Sequence, residues 1–295
     1  MKKNSIIEIK NLTKYYGKIK GVENLNLELK EGEIFGFIGP NGAGKSTTIR
    51  SIMNLINKTE GCVLIDGMEF NKDDVSIKEK IGYLPSEINL YDDFTVKEML
   101  DYHESFYKKD IHKKRTELVE KLNLDEKKKI EDLSLGNLKK LGIVLALMHQ
   151  PKILILDEPT SGLDPIMQNV FYDILKEEKK KGTTILYSTH ILSEISKICD
   201  RVGIIKDGNL IKIEKVDQII KNNLVFVTIT SNEVNKIVDD LKIDIISKEN
   251  NTIKFKNKSS HCELIKQLAS YEIEKILIEE PTLEDIFLHY YEGEE

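Results

Sequence analysis

One short segment constrains the fold of this 295-residue chain more than any other. Residues 36–48 read GFIGPNGAGKSTT, between the apolar run EIFGFIG and the helically periodic TTIRSIMNLI. Gly39, Gly44, Lys45 and Ser46 fit the pattern G-x-x-x-x-G-K-[ST] of a phosphate-binding loop. A glycine turn without a ligand is the alternative, but the fixed spacing and the strand–loop–helix order favour an α/β nucleotide-binding fold.

The chemistry of phosphate binding explains these residue types. Backbone N–H groups of such a loop surround phosphate oxygens, and the following helix adds the positive end of its dipole. We expect Lys45 to reach the β- and γ-phosphates and the Ser46 hydroxyl to bind Mg²⁺. The predicted nucleotide-binding residues of the loop are Gly39, Pro40, Asn41, Gly42, Ala43, Gly44, Lys45, Ser46 and Thr47.

A second candidate site is ILILDEPTSGLD, residues 153–164. Its apolar run predicts a buried strand that ends at Asp157 and Glu158, and α/β sheets bind their ligands at this end of their strands. We expect Asp157 to hold Mg²⁺ through water and Glu158 to act as a general base on water. An isolated Asp-Glu pair is usually only solvated, so this hypothesis depends on the phosphate loop upstream.

A third candidate is His190, which follows the predicted strand TTILYST. A lone histidine is more often structural than catalytic. Combined with the other two sites, its place after a strand favours contact with a γ-phosphate.

Composition excludes several functional classes. The net charge of −6 argues against a nucleic-acid partner, whose binding domain is usually basic. Three dispersed cysteines, Cys62, Cys199 and Cys262, predict neither a disulfide framework nor a zinc site. The N-terminus lacks the apolar stretch of a secretory signal, and LGIVLALM is too short to cross a bilayer.

The pattern of apolar residues divides the chain into two predicted domains. Residues 1–215 form the nucleotide-binding domain, with a mainly helical part at about 88–150. Residues 216–295 alternate strand and helix patterns, and we interpret them as a small α+β domain of β-α-β-β-α-β order that ends in the helix TLEDIFLHYY.

The motifs in this order resemble the nucleotide-binding subunit of ATP-binding cassette (ABC) transporters. The resemblance rests on GPNGAGKST, ILILDEP, SGLD and STH, and covers about residues 5–215. It implies a P-loop NTPase cassette with a mostly parallel sheet, antiparallel N-terminal strands and a helical subdomain. It further implies ATP and Mg²⁺ as cofactors, hydrolysis of ATP by a homodimer or a pair with a second nucleotide-binding subunit, and a separate transmembrane permease as partner.

The family's signature LSGGQ, which reaches the partner's γ-phosphate, reads LSLGN here. The resemblance assigns this role to Ser134, Gly136 and Asn137, although Leu135 and Asn137 depart from the family pattern. It also implies that Ser161, Gly162, Leu163 and Asp164 form a loop at the dimer contact.

Two further positions come from the resemblance. Ser86 stands where the family usually has a glutamine that binds Mg²⁺, so either Ser86 or the neighbouring Glu87 is the candidate ligand. In LTKYYGK, Tyr16 matches the aromatic residue that stacks on adenine, with Tyr15 as the alternative. The permease contact is expected near residues 86–98.

The C-terminal EPTLEDIFLHYY resembles the tail of subunits from multidrug and related ABC-2 exporters. We therefore predict an exporter ATPase at the cytoplasmic face of the membrane. The alternatives are an ABC ATPase acting on ribosomes or nucleic acid, and a regulatory cassette with weak turnover.

Overall fold

The phosphate loop follows a buried strand in the computed structural model, which describes residues 5–71, 74–221, 225–257 and 261–279. The chain divides into two compact units, Met1–Glu214 and Lys215–Glu295. The predicted helix TLEDIFLHYY, at 282–291, lies outside the described residues. Within the described part, no helix is long and apolar enough to cross a bilayer.

Ten strands build two sheets in the first unit. They are β1 (Ser5–Tyr16), β2 (Ile19–Lys30), β3 (Ile34–Ile38), β4 (Glu60–Ile65), β5 (Met68–Glu69), β6 (Ile81–Leu84), β7 (Ile153–Asp157), β8 (Thr184–Thr189), β9 (Arg201–Lys206) and β10 (Asn209–Lys215).

Seven helices of the described first unit lie between or after these strands. They are α1 (Lys45–Ile52), α2 (Val75–Lys78), α3 (Val96–Glu104), α4 (His112–Lys121), α5 (Leu135–Leu147), α6 (Pro165–Lys180) and α7 (Leu192–Ile198), with a short 3₁₀ turn at Ile130–Asp132.

The larger sheet has the order β10-β9-β3-β8-β7-β6. Its β9-β3-β8-β7-β6 part is parallel, and every residue of β3, β7 and β8 is buried. Strands covered on both faces need continuous apolar runs, which IFGFI and ILILD provide. Parallel pairing brings the carboxyl ends of these strands to one edge, where Asp157 pairs with Ser188 and Ile38 with Thr189.

The smaller sheet, β2-β1-β4-β5, is antiparallel. Its apolar face and the larger sheet share one core with α1, which includes Ile7, Leu29, Phe35, Phe37 and Ile49. The fold class predicted from the sequence, a mostly parallel core with antiparallel N-terminal strands, is therefore confirmed.

Three helices, α3, α4 and α5, follow β6 in the region that the sequence predicts to be helical. Thr95 and Glu98 form a capping box that starts α3. Arg115 of α4 donates to Asp101 and Glu104 of α3, which fixes these two helices together.

The second unit contains α8 (Val216–Lys221), β11 (Val225–Thr230), α9 (Val234–Leu241), β12 (Ile245–Glu249), β13 (Thr252–Asn257), α10 (His261–Leu268) and β14 (Lys275–Glu279). From β11 onward the order is the predicted β-α-β-β-α-β. The strands form an antiparallel sheet of order β12-β13-β11-β14. Its own core includes Val227, Ile229, Ile237, Phe255 and Leu264.

Candidate functional site

The phosphate loop joins β3 to α1, and its glycines are required by backbone geometry. Gly44 immediately precedes α1 with φ of 107°, a conformation that disfavours side chains. A Cβ on Gly39 would lie 2.4 Å from the carbonyl oxygen of Ile205. The loop therefore holds its backbone close to β9 and leaves α1 with its N–H groups directed toward the loop.

Lys45 is the first residue of α1 and is only 5% exposed. Its Nζ donates to the carbonyl oxygens of Gly39, at 2.7 Å, and Pro40, at 3.2 Å. The same Nζ lies 3.4 Å from Oε1 of Glu158. The ammonium group is thus held at the mouth of the loop, where a phosphate would offer it stronger acceptors.

Glu158 lies between two nitrogen groups at the end of β7. Its second carboxylate oxygen, Oε2, is 2.8 Å from His190 Nδ1, which follows the end of β8. Glu158 has a φ of 48°, and its N–H donates to Ser188 O at 3.0 Å. The structure therefore brings together Lys45, Glu158 and His190 from three sequence segments.

Asp157 is fully buried, and neither of its carboxylate oxygens has a hydrogen-bond partner among the described residues. The hydroxyl of Ser188, on the paired strand, is also without a partner there. Burial, with a contribution from Asp157, raises the pKa of the nearby Tyr83 to about 12. A buried carboxylate without a partner is costly, so this position fits a cation or its bound water.

The donor set around the loop suits Mg²⁺ better than a metal held by protein alone. Among the described residues, no group of three His, Cys, Asp or Glu side chains is placed to hold a metal ion. Mg²⁺ usually takes one or two carboxylates, substrate phosphates and water. Asp157 and the half-buried Ser46 fit that pattern, while Ser86 is half-buried and Glu87 is exposed.

Tyr16 lies at the end of β1 beside the phosphate loop. Its ring and the Thr47 methyl group flank Gly21, where a Cβ would be 3.0 and 2.9 Å from them. Tyr16 is 44% exposed, whereas Tyr15 donates its hydroxyl to Glu23 at 2.7 Å. Tyr16 is therefore the more accessible of the two rings for stacking.

The predicted signature begins α5, and its described contacts are with α5 and Gly162 rather than with the phosphate loop of the same chain. Ser134 caps the helix by accepting from Asn137 N at 3.4 Å. Leu135 is 62% exposed. A Cβ on Gly136 would lie 2.7 Å from Gly162 O, so these two segments pack backbone to backbone.

The SGLD segment, residues 161–164, joins β7 to α6. The Ser161 N–H donates to Glu158 O, and Leu163 is buried. Asp164 caps α6 by accepting from the N–H groups of Ile166 and Met167, both at 3.0 Å. This segment is therefore held at both ends, with its first residue bonded to Glu158.

Sequence reasoning missed Lys139, which is 1% exposed. Its Nζ donates to Ser86 O at 3.0 Å and to Glu158 O at 3.3 Å. Burial lowers the pKa of Lys139, while Asp157 and Glu158 oppose that effect. The sequence feature that could have identified Lys139 is its spacing of four residues from the apolar Ile143, which places it on the buried face of α5.

A second missed residue is Glu194 of α7, a buried carboxylate that accepts hydrogen bonds from Thr160 and Thr189. Its spacing of four residues from the buried Ile198 placed it on the inner face of the helix. Glu194 thereby links the segments that carry Glu158 and His190.

The family model and the similar proteins found by comparison all belong to one family. The family described as ABC transporter matches residues 22–161. The bacitracin transport ATP-binding protein of Bacillus licheniformis is 40% identical over 80% of this chain and 78% of its own length. The linearmycin resistance ATP-binding protein of Bacillus subtilis is 39% identical over 70% of this chain and 68% of its own length.

Solved structures agree with these sequence relatives. An ATP-binding subunit of an ABC transporter, 30% identical, has a TM-score of 0.69 and covers 73% of this chain and 92% of its own. A dimeric ATP-binding cassette in a post-hydrolysis state, bound to ADP and Pi, is 30% identical with a TM-score of 0.65 over 71% of this chain and 98% of its own.

Proposed function

The chain belongs to the ABC transporter family as an ATP-binding subunit that hydrolyses ATP, and we propose that it drives export through a separate membrane permease. The direction of transport is supported by relatives named for bacitracin transport, linearmycin resistance and probable multidrug transport. Hydrolysis of ATP needs a site in which water attacks the γ-phosphate, and the geometry around Glu158 supports that step.

One observation carries the catalytic proposal: the Glu158 carboxylate lies 3.4 Å from Lys45 Nζ and 2.8 Å from His190 Nδ1. In the proposed step Glu158 accepts a proton from water as the water oxygen attacks the γ-phosphorus. The bond from that phosphorus to the bridging oxygen breaks, and ADP leaves. Lys45 and His190 stabilise the negative charge on the transferred phosphoryl group.

Asp157 and Ser46 are the residues that we propose to hold Mg²⁺, Asp157 through water. When bound, the ion would supply charge neutralisation for the triphosphate. The partnerless Asp157 oxygens support this assignment, because ion-bound water would donate to them. Ser86 is the weaker candidate because its side chain is shorter than the glutamine that the resemblance leads us to expect there, and Glu87 is exposed.

We propose that two nucleotide-binding subunits close over ATP, as a homodimer or with a second such subunit. Ser134, Gly136 and Asn137 then act on the nucleotide of the partner subunit. Two observations support this: the signature contacts Gly162 rather than its own phosphate loop, and a related cassette is dimeric. Tyr16 stacks on the adenine of its own subunit.

The permease contact that we propose lies on the helical region, near residues 86–98. An aromatic cluster extends from this region into α3 and the residues after it: Tyr102 packs edge-on against Phe94 and Phe106, with centroids 6.2 and 4.9 Å apart. Tyr91 and Phe106 are 57% and 60% exposed. An exposed aromatic cluster suits a protein interface, and it would hold the subunit at the cytoplasmic face of the membrane.

Affinity purification of the tagged chain from detergent-solubilised native membranes tests this function. A multi-span membrane protein should co-purify in near-equal amount. The double variant Tyr91→Ser, Phe106→Ser should lose it, while Leu55→Ser, which changes a 59% exposed residue elsewhere in the same unit, should keep it. Recovery with ribosomes or DNA, and without a membrane protein, would contradict the proposal.

A further inference from the structure

Glu194 forms an unusual buried centre beside the catalytic groups. The residue is 2% exposed, and its carboxylate accepts four hydroxyl hydrogen bonds. Oε1 accepts from Thr160 Oγ1 at 2.5 Å and Tyr172 OH at 3.2 Å. Oε2 accepts from Tyr187 OH at 3.0 Å and Thr189 Oγ1 at 2.7 Å. The donors come from α6, from β8 and from the segment after β7.

These four donors offset the cost of burying a carboxylate, for which no ion pair is found among the described residues. An ionised carboxylate accepts about four hydrogen bonds, so this set fills the capacity of both oxygens. Burial and the Glu194 charge raise the pKa of Tyr172 and of Tyr187, which keeps both phenols protonated as donors. The arrangement is therefore specific for a carboxylate at position 194, because an amide would turn one acceptor oxygen into a donor.

Two of the four donors adjoin the reacting residues. Thr189 precedes His190, and its Oγ1 also accepts the N–H of Ile191 at 3.0 Å, so the residues on both sides of His190 are fixed. Thr160 lies two residues after Glu158, and its carbonyl accepts the N–H of Leu163 in the SGLD segment. One carboxylate thus joins the backbone that carries His190 to the backbone that follows Glu158.

We infer that Glu194 is a positioning residue for ATP hydrolysis, which rests on the proposed function of this site. By holding Thr160 and Thr189 at one point, it keeps His190 within hydrogen-bond distance of Glu158. It also links this pair to residues 161–164, which face the partner subunit in the proposed dimer. Closure of the dimer on that segment would therefore act on the catalytic pair through Glu194.

Kinetics of Glu194→Gln, with Glu178→Gln as matched control, test this role. Glu178 is also 2% exposed, but its partners are Lys114 and Lys181 rather than residues of the site. For Glu194→Gln we expect kcat to fall about 10- to 100-fold with KM for ATP changed less than about threefold, because small displacements of catalytic groups cost this much. Glu178→Gln should lose thermal stability yet keep kcat within about threefold of wild type.

Single-hydroxyl variants separate positioning from stability. Thr160→Val and Thr189→Val each remove one donor next to the reacting groups, and each should lower kcat about tenfold. Tyr172→Phe and Tyr187→Phe remove the other donor to each oxygen of the same carboxylate, and each should lower Tm with little change in kcat. If kcat instead follows Tm across all four variants, Glu194 has only a structural role. These milder changes also decide the question should Glu194→Gln fail to fold.

The ring C–H resonance of His190, assigned by its loss in His190→Ala, gives a readout that does not require turnover. It should shift in Glu194→Gln and Thr189→Val and stay in place in Glu178→Gln. An unchanged resonance in the folded Glu194→Gln protein would overturn the inference. Absence of ATP hydrolysis by the wild-type chain would count against the proposed function, while the resonance would still report on Glu194.

Discussion

At the scale of single residues, the position of the Glu158 carboxylate depends on its contacts with Lys45 Nζ and His190 Nδ1 and on its backbone conformation. A φ of 48° is uncommon outside glycine, and the N–H bond to Ser188 O holds the residue in that conformation. The backbone therefore directs the carboxylate toward Lys45 and His190. Local strain of this kind is typical of functional positions.

We predict that Glu158→Gln binds ATP and hydrolyses it at least about 100-fold more slowly, because an amide cannot accept the proton from water. Lys45→Ala should slow hydrolysis and in addition weaken ATP binding, since it removes the cation for the β- and γ-phosphates. Equilibrium binding of ATP combined with single-turnover hydrolysis distinguishes the two. Near-normal turnover in Glu158→Gln would remove Glu158 from the role of general base.

Asp157 gives a prediction about the metal. We expect Asp157→Asn to lower the affinity for Mg²⁺-ATP about 10- to 100-fold, as for other residues that orient metal-bound water. Affinity for ATP in EDTA should be unchanged, because the partnerless carboxylate acts on the ion rather than on the nucleotide. Titration calorimetry with and without Mg²⁺ measures both, with the exposed Asp125→Asn as control. Equal losses in both media would argue against the metal role.

At the scale of elements, α5 connects the signature to a pair of histidines, of which His149 is buried and His103 half-buried. His149 follows the end of α5, donates from Nε2 to Ile81 O at 3.2 Å and stacks on Tyr107 at 4.7 Å. Its Nδ1, and Nε2 of His103 on α3, have no partner within the described residues. Burial lowers the pKa of His149 to about 4, with smaller effects from His103 and Lys109, and burial also lowers that of His103.

This pair predicts how stability depends on pH. Below pH about 6.5 the unfolded chain protonates His149 while the folded chain does not, so stability is full above that pH and falls as pH drops toward 4. The loss from His149 is on the order of 3 kcal/mol. Urea unfolding at pH 7.5 and 5.0 should show a smaller difference in His149→Gln than in wild type.

If His149→Gln and wild type lose the same free energy of unfolding between the two pH values, the histidine pair is not the source. In that case protonation of carboxylates elsewhere would account for the acid sensitivity.

Elements with a local signal were predictable from the sequence. The turn between β9 and β10 follows from Asp207-Gly208, whose φ values of 48° and 77° suit a two-residue hairpin. Contacts between distant segments were not predictable. Lys139 and Ser86 are 53 positions apart, and Thr160 and Glu194 are 34 apart. A helical pattern shows which face is buried, but it does not show which loop that face meets.

At the scale of the whole molecule, the chain contains two units with separate cores. The core of the second unit consists of its own residues, including Val227, Phe255 and Leu268. The described core of the first unit lies within residues 6–213, so deletion of residues 216–295 removes none of its members. We propose that the second unit stabilises the dimer of nucleotide-binding subunits.

Deletion of residues 216–295 in the Glu158→Gln background tests that proposal. The dissociation constant for ATP should change less than about threefold, because every candidate residue for the nucleotide lies in the first unit. The dissociation constant of the ATP-dependent dimer should rise at least about tenfold when a stabilising contact is lost. Analytical ultracentrifugation with and without ATP measures the dimer, and ATP binding serves as the control for folding. Dimerisation equal to that of the full-length Glu158→Gln chain would reject the proposal, and the second unit would then act elsewhere.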